Sequence, residues 1–387
     1  MDRKKHIYLI YEFLSEQGGL EREIINHANF LIEEGFEVKV LTCYLDRKIL
    51  GLLPFGKLKI ETIGKINTGI ESLNLILCFL GFNNLKRHNP DSFLSYSFPS
   101  NFLIRKKKTK KINYINHYPH FIYLSEKGKK EWSDSTQGTK RKISVFLSNF
   151  FKKKIKKTDK KLIKANNLNY TNSQFTKRKL DALYNMDSIV SYPPLDPKFK
   201  PSKRKMDEKF IFSSSRIIPD KKYEWLICSL SFMKNRMPLY IAGSVEEGYK
   251  NSLKNLANNE KINLKFLGRL TTEDIIEYYS NAQVFAFPTP KEDFGLVPAE
   301  SLACGTPVVV WGDGSGPTEQ VINGVNGYHA KPYNLKDFAK KIDLVIDNKL
   351  KQKNRKKIIE SAKKFSYNST KKNFICEIKK LFNNQPK

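Results

Sequence analysis

Two glutamates with seven residues between them, Glu292 and Glu300, enclose a glycine in the segment PKEDFGLVPAE at residues 290–300. The apolar run at 282–288 predicts a buried strand, and residues 297–304 predict a helix. Glu292 is therefore expected in the loop at the carboxyl end of a strand, the edge where open α/β sheets bind ligands. An ionised carboxylate offers two acceptor oxygens and no donor, so the pair suits the hydroxyl groups of a sugar or a ribose. Glu300 is also compatible with a surface helix, but its flanking residues are apolar.

Two further pairs of residues suit a diphosphate. Gly18 and Gly19 precede a predicted helix, where close backbone approach and free N–H groups favour an anion, although a plain strand-to-helix turn also uses glycines. Arg216 and Lys221 lie five residues apart across a turn that follows a predicted strand. They would supply a rigid guanidinium and a compact ammonium. A solvated basic turn is the alternative explanation for this second pair.

The elements that would position these residues alternate between strands and helices in both halves of the chain, which is typical of doubly wound parallel sheets. Helices are predicted from about Leu20 to Glu34 and at 365–382. Strands are predicted at 6–11, 37–43, 57–63, 92–96, 111–116, near 169, and at 209–213, 239–243, 264–267, 284–288 and 307–311. A proline pair at 193–194 and the charged segment 197–209 predict a linker between two domains.

The segment at 290–300 resembles the Glu-x7-Glu motif of retaining glycosyltransferases of family 4 (glycosyl transferases group 1), which have the GT-B fold. Further segments resemble landmarks of that family and occur in its order: GGLER at 18–22, NHYP at 116–119, TNSQF at 171–175, YPPLD at 192–196, SRIIPDK at 215–221 and FLG at 266–268. One such match would be weak, whereas the ordered series covers nearly the whole chain.

The resemblance implies an α/β fold of two Rossmann-like domains that face a central cleft. Residues 1–195 would form the acceptor-binding domain and residues 196–364 the nucleotide-sugar domain, with the helix at 365–387 packed back on the first. It also implies a role for each site residue. Glu300 would bind the ribose, and Gly268 would border the base. The transferred sugar would be bound by Glu292 and by the backbone of Asp293, Phe294, Gly295 and Leu296. The diphosphate would be bound by Arg216, Lys221, Gly18 and Gly19.

His117 follows a predicted strand and is expected to face the cleft from the first domain, and the resemblance implies a position near the reacting carbon of the sugar. A lone histidine is more often structural, and His120 is a rival if the register differs. The family's retaining transfer has no agreed protein nucleophile; the acceptor hydroxyl attacks on the leaving-group face, with a diphosphate oxygen as base. Catalysis would then rest on positioning and on stabilising the leaving diphosphate. No metal ion and no cofactor other than the nucleotide-sugar substrate are expected.

Composition narrows the class of protein. At 387 residues the chain is long enough for two domains. No apolar run reaches the length of about 20 residues that a membrane span needs, and the run at 73–82 is more typical of a core or interfacial helix. The start of the chain predicts no signal peptide. Five cysteines, distant in sequence and without paired spacing, argue against a zinc site or a disulfide framework, so a cytoplasmic location is expected.

The charge of +30 favours anionic partners such as membrane lipid, nucleic acid or phosphorylated substrates. A compositional bias towards lysine explains the total equally well, but not its clusters at 105–111 and 152–161. Apolar residues at helical spacing between Lys140 and Lys161 predict either a basic helix on an anionic membrane or a core-facing helix with a solvated lysine face. Liposome binding that depends on Lys152 to Lys157 would distinguish them.

The predicted function is transfer of a sugar from a nucleotide donor to a lipid-linked or polysaccharide acceptor, at the inner face of the membrane. The segments EDFGLVPAE and YPPLD resemble mannosyltransferases that use GDP-mannose. The alternatives are a family member with a UDP-linked glucosyl or N-acetylhexosaminyl donor, and a catalytically inactive basic protein that binds membranes. Nucleic acid is not an expected partner, because the aromatic signatures of RNA-binding modules are missing from the sequence.

Overall fold

Two parallel β-sheets, each flanked by helices, make up the computed structural model, which describes residues 3–15, 18–48, 58–124 and 152–383. The first sheet has the order β3-β2-β1-β4-β5-β6-β7 and the second the order β10-β9-β8-β11-β12-β13. The strands of the first sheet are β1 (His6–Leu14), β2 (Glu37–Leu45), β3 (Lys59–Thr62), β4 (Ser92–Tyr96), β5 (Lys110–Ile115), β6 (Leu168–Thr171) and β7 (Ile189–Val190). Those of the second are β8 (Ile211–Ser214), β9 (Leu239–Ala242), β10 (Leu264–Gly268), β11 (Val284–Phe287), β12 (Val308–Trp311) and β13 (Gly327–Ala330).

The helices connect these strands. They are α1 (Gly19–Glu33), α2 (Glu71–Phe79), α3 (Ser97–Leu103), α4 (His120–Tyr123), α5 (152–164), α6 (Gln174–Tyr184), α7 (Tyr223–Leu230), α8 (Glu247–Asn259), α9 (Thr272–Asn281), α10 (Leu296–Ala303), α11 (Leu335–Asp347), α12 (Leu350–Ala362) and α13 (Tyr367–Asn383). None of the helices in the described part of the chain is long and apolar enough to cross a membrane.

In both sheets the strand order reverses at one point, between β1 and β4 in the first and between β8 and β11 in the second. The loops after two such strands run to opposite sides and leave a crevice between them. Strands β11 and β12 (VFAF and VVVW) are apolar throughout, as expected of parallel strands whose two faces are both covered by helices. The second sheet therefore presents its crevice at the carboxyl ends of β8 and β11.

The core of the first sheet includes the last helix of the chain. Phe374 and Ile378 of α13 are fully buried in that core. The ring of His27 in α1 stacks on Phe374 with centroids 4.2 Å apart, and the Tyr170 hydroxyl donates to the Phe374 carbonyl at 2.6 Å. Burial lowers the pKa of His27 to about 3, so this histidine is a neutral core residue at physiological pH. Helix α13 thus packs on the first sheet, although it follows the strands of the second sheet in the sequence.

The predicted fold class, two doubly wound Rossmann-like units, is confirmed, and the predicted strands occur within a few residues of their expected bounds. Two of the strands were not predicted from the sequence. Strand β7 has only two residues, and β13 (GYHA) lies at a sheet edge without an apolar run. The predicted domain boundary between residues 195 and 196 stays a prediction.

Of the amphipathic helix predicted between Lys140 and Lys161, residues 140–151 lie outside the described residues. The remaining part belongs to α5, where Ile163 packs against Leu180 and Tyr184 of α6. Asp159 is buried on the same side and accepts hydrogen bonds from Tyr184 at 2.7 Å and from Tyr123 at 2.9 Å. In this part, the helix is core-facing and carries a solvated lysine face.

Candidate active site

The candidate site lies at the carboxyl ends of β8, β9, β10 and β11, which are neighbours in the second sheet. The backbone is close-packed there. The N–H of Gly243, after β9, donates to the carbonyl of Gly268 at 2.7 Å. A Cβ atom on Gly243 would lie 1.8 Å from the carbonyl oxygen of Ser215, after β8, so only glycine fits at this position. Gly268, which has a φ of +68°, is thereby fixed beside the loop that follows β8.

Glu292 and Lys221 form an ion pair across the crevice. Lys221 follows β8, Glu292 follows β11, and the Nζ to Oε2 distance is 2.6 Å. Both side chains are partly buried, which strengthens the attraction because less water screens it. A bound diphosphate would therefore compete with Glu292 for the Lys221 ammonium. Arg216, in the turn before Lys221, is exposed and reaches solvent from the same edge.

The loop at 293–295 is held by two residues from the segment after β12. The amide of Gln320, which is fully buried, donates to the carbonyls of Phe294 and Gly295 at 2.8 and 2.9 Å. The N–H of Gly316 donates to the carbonyl of Glu292 at 2.9 Å. Gly295 has a φ of +71° and turns the chain into α10, whose first residue is Leu296. The first N–H groups of a helix have no acceptor within it, so they are available for a ligand.

Asp293 lies where the two sheets meet. Its Oδ1 is 3.2 Å from the Nζ of Lys179, which belongs to α6 of the first sheet. Burial raises the pKa of Asp293, while the positive charges of Lys179 and His117 lower it. His117 is thus within electrostatic reach of the loop that carries Glu292.

His117 follows β5 and is exposed. Its Nδ1 lies 3.0 Å from the Tyr118 carbonyl oxygen, which can only accept, so Nδ1 carries a proton, and Nε2 is an acceptor when the ring is neutral. The His120 ring stacks on it with centroids 4.7 Å apart. The preceding residue, Asn116, donates to the buried carboxyl of Glu23 in α1 at 3.2 Å. Burial raises the pKa of Glu23 to about 8, so the carboxyl group that accepts from Asn116 is largely neutral at physiological pH.

Glu300 is buried in α10 and is held by a hydroxyl. The Tyr279 hydroxyl donates to its Oε2 at 3.0 Å and also lies 2.7 Å from the Ser214 hydroxyl. Burial raises the pKa of Glu300, and the charge of Arg22, together with the Tyr279 hydrogen bond, lowers it. The surface-helix interpretation of Glu300 is therefore wrong, because only 6% of the residue is exposed.

Gly18 and Gly19 begin α1, and Arg22 in the first turn of that helix acts on Glu300 across the crevice. The start of α1 consequently faces the second sheet. A Cβ atom on Gly18 would lie 2.4 Å from Oε2 of Glu21, which folds back over the glycine. A Cβ atom on Gly19 would meet nothing within 4 Å, so the tight approach within this pair concerns Gly18.

The structure thus brings the predicted residues of the second sheet, His117 and the start of α1 to one crevice. It adds three residues that the sequence did not indicate: Lys179, Tyr279 and Gln320. Lys179 belongs to the helix that contains the end of the TNSQF segment at 171–175. The sequence analysis matched that segment to the family but did not predict Lys179 as a site residue.

A comparison with protein families identifies the second sheet. Residues 196–365 match the family of glycosyl transferases group 1. The matched group 1 segment contains the strands β8 to β13 and the residues Arg216, Lys221, Gly268, Glu292 and Glu300. It ends at the start of the segment that leads into α13.

Curated relatives are moderately similar to part of this chain. An uncharacterized glycosyltransferase of Haemophilus influenzae is 30% identical over 169 residues, 42% of this chain and 46% of that protein. A GDP-mannose-dependent monoacylated alpha-(1-6)-phosphatidylinositol monomannoside mannosyltransferase of Corynebacterium glutamicum is 31% identical over 144 residues, 33% of this chain and 37% of that protein. The chain therefore spans about half or less of the length of these two relatives.

Solved structures match the whole fold. Sucrose-phosphate synthase from Thermosynechococcus elongatus superimposes with a TM-score of 0.74 at 16% identity, covering 99% of this chain and all of that one. The Anabaena protein HepE in complex with UDP and glucose gives a TM-score of 0.70 at 17% identity, covering 97% of this chain and all of that one. At this identity the likeness establishes the GT-B fold alone.

Proposed function

We propose that the protein is a retaining glycosyltransferase of family 4, which transfers a sugar from a nucleotide donor to a lipid-linked or polysaccharide acceptor. One observation carries the proposal: Glu292, Lys221, Asp293 and Glu300 converge at the carboxyl edge of the sheet that matches the group 1 family. This edge offers carboxylates for hydroxyl groups beside cations for phosphate, as a nucleotide sugar requires.

The proposed roles follow from the contacts. Glu300, fixed by Tyr279, accepts from the ribose hydroxyls. Lys221 exchanges Glu292 for the diphosphate, with Arg216 and the start of α1 at Gly18 as further donors. Glu292, once released, accepts from hydroxyls of the transferred sugar. In its neutral form, His117 accepts from a sugar hydroxyl through Nε2 on the opposite wall.

Within this scheme the protein stabilises the leaving diphosphate and aligns the acceptor, and no side chain acts as a covalent nucleophile. The backbone of the loop at 293–295 is held by Gln320 and Gly316 before the substrate binds, so this part of the site needs little reorganisation during transfer. We also propose that no metal ion takes part. Transfer rates that are unchanged after dialysis against EDTA would support this point, and loss of transfer that Mg²⁺ or Mn²⁺ restores would contradict it.

The proposed donor is GDP-mannose. The segments EDFGLVPAE and YPPLD favour it, and the Corynebacterium glutamicum relative is described as GDP-mannose-dependent. A UDP-sugar is the second candidate, because the Anabaena structure contains UDP and glucose. The proposed location is the cytoplasmic face of a membrane, reached by a protein that is peripheral rather than spanning.

The test is thermal stabilisation of the purified protein by GDP, UDP and ADP at matched concentrations, since a ligand that binds only the folded state raises the Tm. A shift with GDP alone supports the mannosyl donor, and a shift with UDP alone replaces it with a UDP-sugar. No shift with any of the three would overturn the enzyme proposal in favour of an inactive binding protein. With the preferred donor sugar, NMR of the product gives the anomeric configuration and so tests retention.

A further inference from the structure

Helix α2 is apolar on both of its faces. On one face Cys78 is buried, and Leu75 and Phe79 pack against a core cluster of the first sheet. On the opposite face Leu73 and Ile76 are exposed by 40% and 46%. A helix that is apolar all round is normally covered on every side. The exposed face of α2 therefore indicates a surface with a partner.

The exposure is concentrated in one segment of the chain. The described residues contain ten exposed large hydrophobic side chains, and six of them lie between residues 66 and 82. We call these six the apolar face: Ile66, Ile70, Leu73, Ile76, Leu80 and Phe82. An isolated exposed leucine needs no explanation, whereas several exposed large apolar side chains on one segment are typical of an interaction site.

Hydrogen bonds fix both ends of the apolar face. The buried side chain of Asn74 accepts from the N–H of Thr68 at 2.9 Å and donates to Asn67 at 3.3 Å, which holds the loop with Ile66 and Ile70 against the helix. After the helix, the carbonyl of Phe82 accepts from the N–H of Lys65 at 3.1 Å. The face is thus a shaped surface and not a frayed end.

Basic residues border the apolar face. Lys65 adjoins Phe82 as described above, and Lys86 and Arg87 follow it; all three are exposed. On the inner edge of α2, Phe79 packs edge-to-face on Phe102 with centroids 5.0 Å apart. The guanidinium of Arg105 lies 3.9 Å from the centre of the Phe102 ring.

Exposed lysines at 106 and 108 follow Arg105. Residues 64–110 hold eight Lys and Arg residues and two acidic ones, Glu71 and Asp91. An apolar surface with a basic border is suited to a membrane interface, where side chains enter the acyl boundary and cations meet acidic headgroups. A two-fold contact with a second copy would place the same basic borders against each other, so the charge disfavours a dimer.

We propose that the apolar face of α2 inserts into an anionic lipid bilayer, with Lys65, Lys86, Arg87, Arg105, Lys106 and Lys108 on the headgroups. This surface is separate from α5, which the lysine cluster at 152–161 made the first candidate. The inference specifies the membrane partner of the proposed function and rests on that part of it alone. It is independent of the donor and of catalysis.

Vesicle flotation tests the proposal, with phosphatidylcholine vesicles that contain or lack phosphatidylglycerol. The wild-type protein should bind the anionic vesicles and dissociate as salt is added. Leu73→Glu and Leu80→Glu should each weaken binding by about tenfold or more, because burial of one large apolar side chain contributes at least that factor. Replacing Lys106 and Lys108 by glutamate should weaken binding to anionic vesicles.

The matched control is Phe232→Glu, which changes a side chain of similar exposure near the second sheet and should bind like the wild type. Melting temperatures and nucleotide-induced shifts of all variants separate lost membrane binding from misfolding and from failure of the proposed enzyme. Wild-type binding by Leu73→Glu and Leu80→Glu, together with binding lost on replacing Lys152 to Lys157, would overturn the proposal in favour of α5. A wild-type dimer that Leu80→Glu dissociates, without vesicle binding by either, would overturn it in favour of a second copy.

Discussion

Lys179 and Asp293 join the two sheets at the candidate active site, with 3.2 Å between Nζ and Oδ1. Further hydrogen bonds fix helix α6, which carries Lys179, against the segment that follows β12. Glu319 accepts from the N–H groups of Gln174 and Phe175 at 3.0 and 2.6 Å. Arg178 donates to the carbonyl of Gly314 at 2.8 Å. The position of the Asp293 loop therefore depends on residues from the other sheet.

We expect Lys179→Met to lower the rate of sugar transfer by about tenfold or more, because the loop that carries Glu292 loses its cross-sheet anchor. The pH dependence should change as well. Burial raises the pKa of Asp293 and Lys179 lowers it, so removal of Lys179 raises this pKa further. The ionised fraction of Asp293 then falls at any given acidic pH, and the acid limb of kcat/KM should move to higher pH.

A pH profile of kcat/KM for the wild type, Lys179→Met and Lys179→Arg provides the measurement. The arginine variant keeps the charge and should retain the wild-type acid limb. If the methionine variant has the wild-type rate and the wild-type acid limb, Lys179 does not position the loop.

Tyr279→Phe should weaken donor binding while leaving the turnover of bound donor close to the wild-type value. The change removes the hydrogen bond to Oε2 of Glu300, so the carboxylate loses the group that orients it. It also leaves Ser214 without this hydroxyl partner, and we expect a loss of about 1–3 kcal/mol in the free energy of unfolding. Donor KM, kcat and urea denaturation are the measurements.

Tyr278→Phe is the matched control, one residue earlier on the same helix, and should change neither KM nor stability appreciably. If Tyr279→Phe binds nucleotide with wild-type affinity, the orienting role of Tyr279 is contradicted.

The sequence predicted Glu292, Lys221 and Glu300 as a group through the family resemblance, and a local reason places all three at one edge. Each is tied to an apolar strand or to the helix after it, and the carboxyl ends of parallel strands share an edge. Lys179 could not be found in this way. It precedes Asp293 by 114 residues, and their contact depends on how the two sheets face each other.

Tyr279 was missed for a different reason. It stands beside Tyr278 in the run EYYSN, and nothing in that pattern tells which hydroxyl is buried. The structure resolves this, because Tyr279 is fully buried and Tyr278 is only partly covered. Local patterns thus placed the strands and the site edge, whereas the partners that orient the site residues needed tertiary structure.

Glu300→Gln should abolish transfer and leave the protein as stable as the wild type or slightly more stable. Burial raises the pKa of Glu300, so its ionised form costs folding free energy at pH values above the ordinary glutamate range. A neutral amide of the same shape avoids that cost, but it replaces one acceptor oxygen by a donor nitrogen and so cannot accept both ribose hydroxyls.

Transfer assays and thermal melts at neutral pH test this expectation, and Glu273→Gln on the exposed surface of α9 is the control. Melts at lower pH should bring the two proteins together as Glu300 becomes protonated. Wild-type transfer by Glu300→Gln would refute the ribose assignment.

Gly316→Ala should destabilise the loop that carries the site more than an ordinary glycine substitution does. A Cβ atom at this position would lie 2.3 Å from the carbonyl oxygen of Asp293 and 2.4 Å from the Cα of Phe294, and both are backbone atoms that cannot rotate away. The loop must therefore move, and the hydrogen bond from Gly316 to Glu292 is lost with it. We expect a loss of about 2–4 kcal/mol in unfolding free energy together with loss of transfer.

Gly248→Ala, in α8, is the control, because its Cβ atom would meet nothing within 4 Å and alanine favours helix by up to about 1 kcal/mol. Equal melting temperatures and equal transfer rates for the two variants would show that the close approach of Gly316 to the Asp293 loop does not matter.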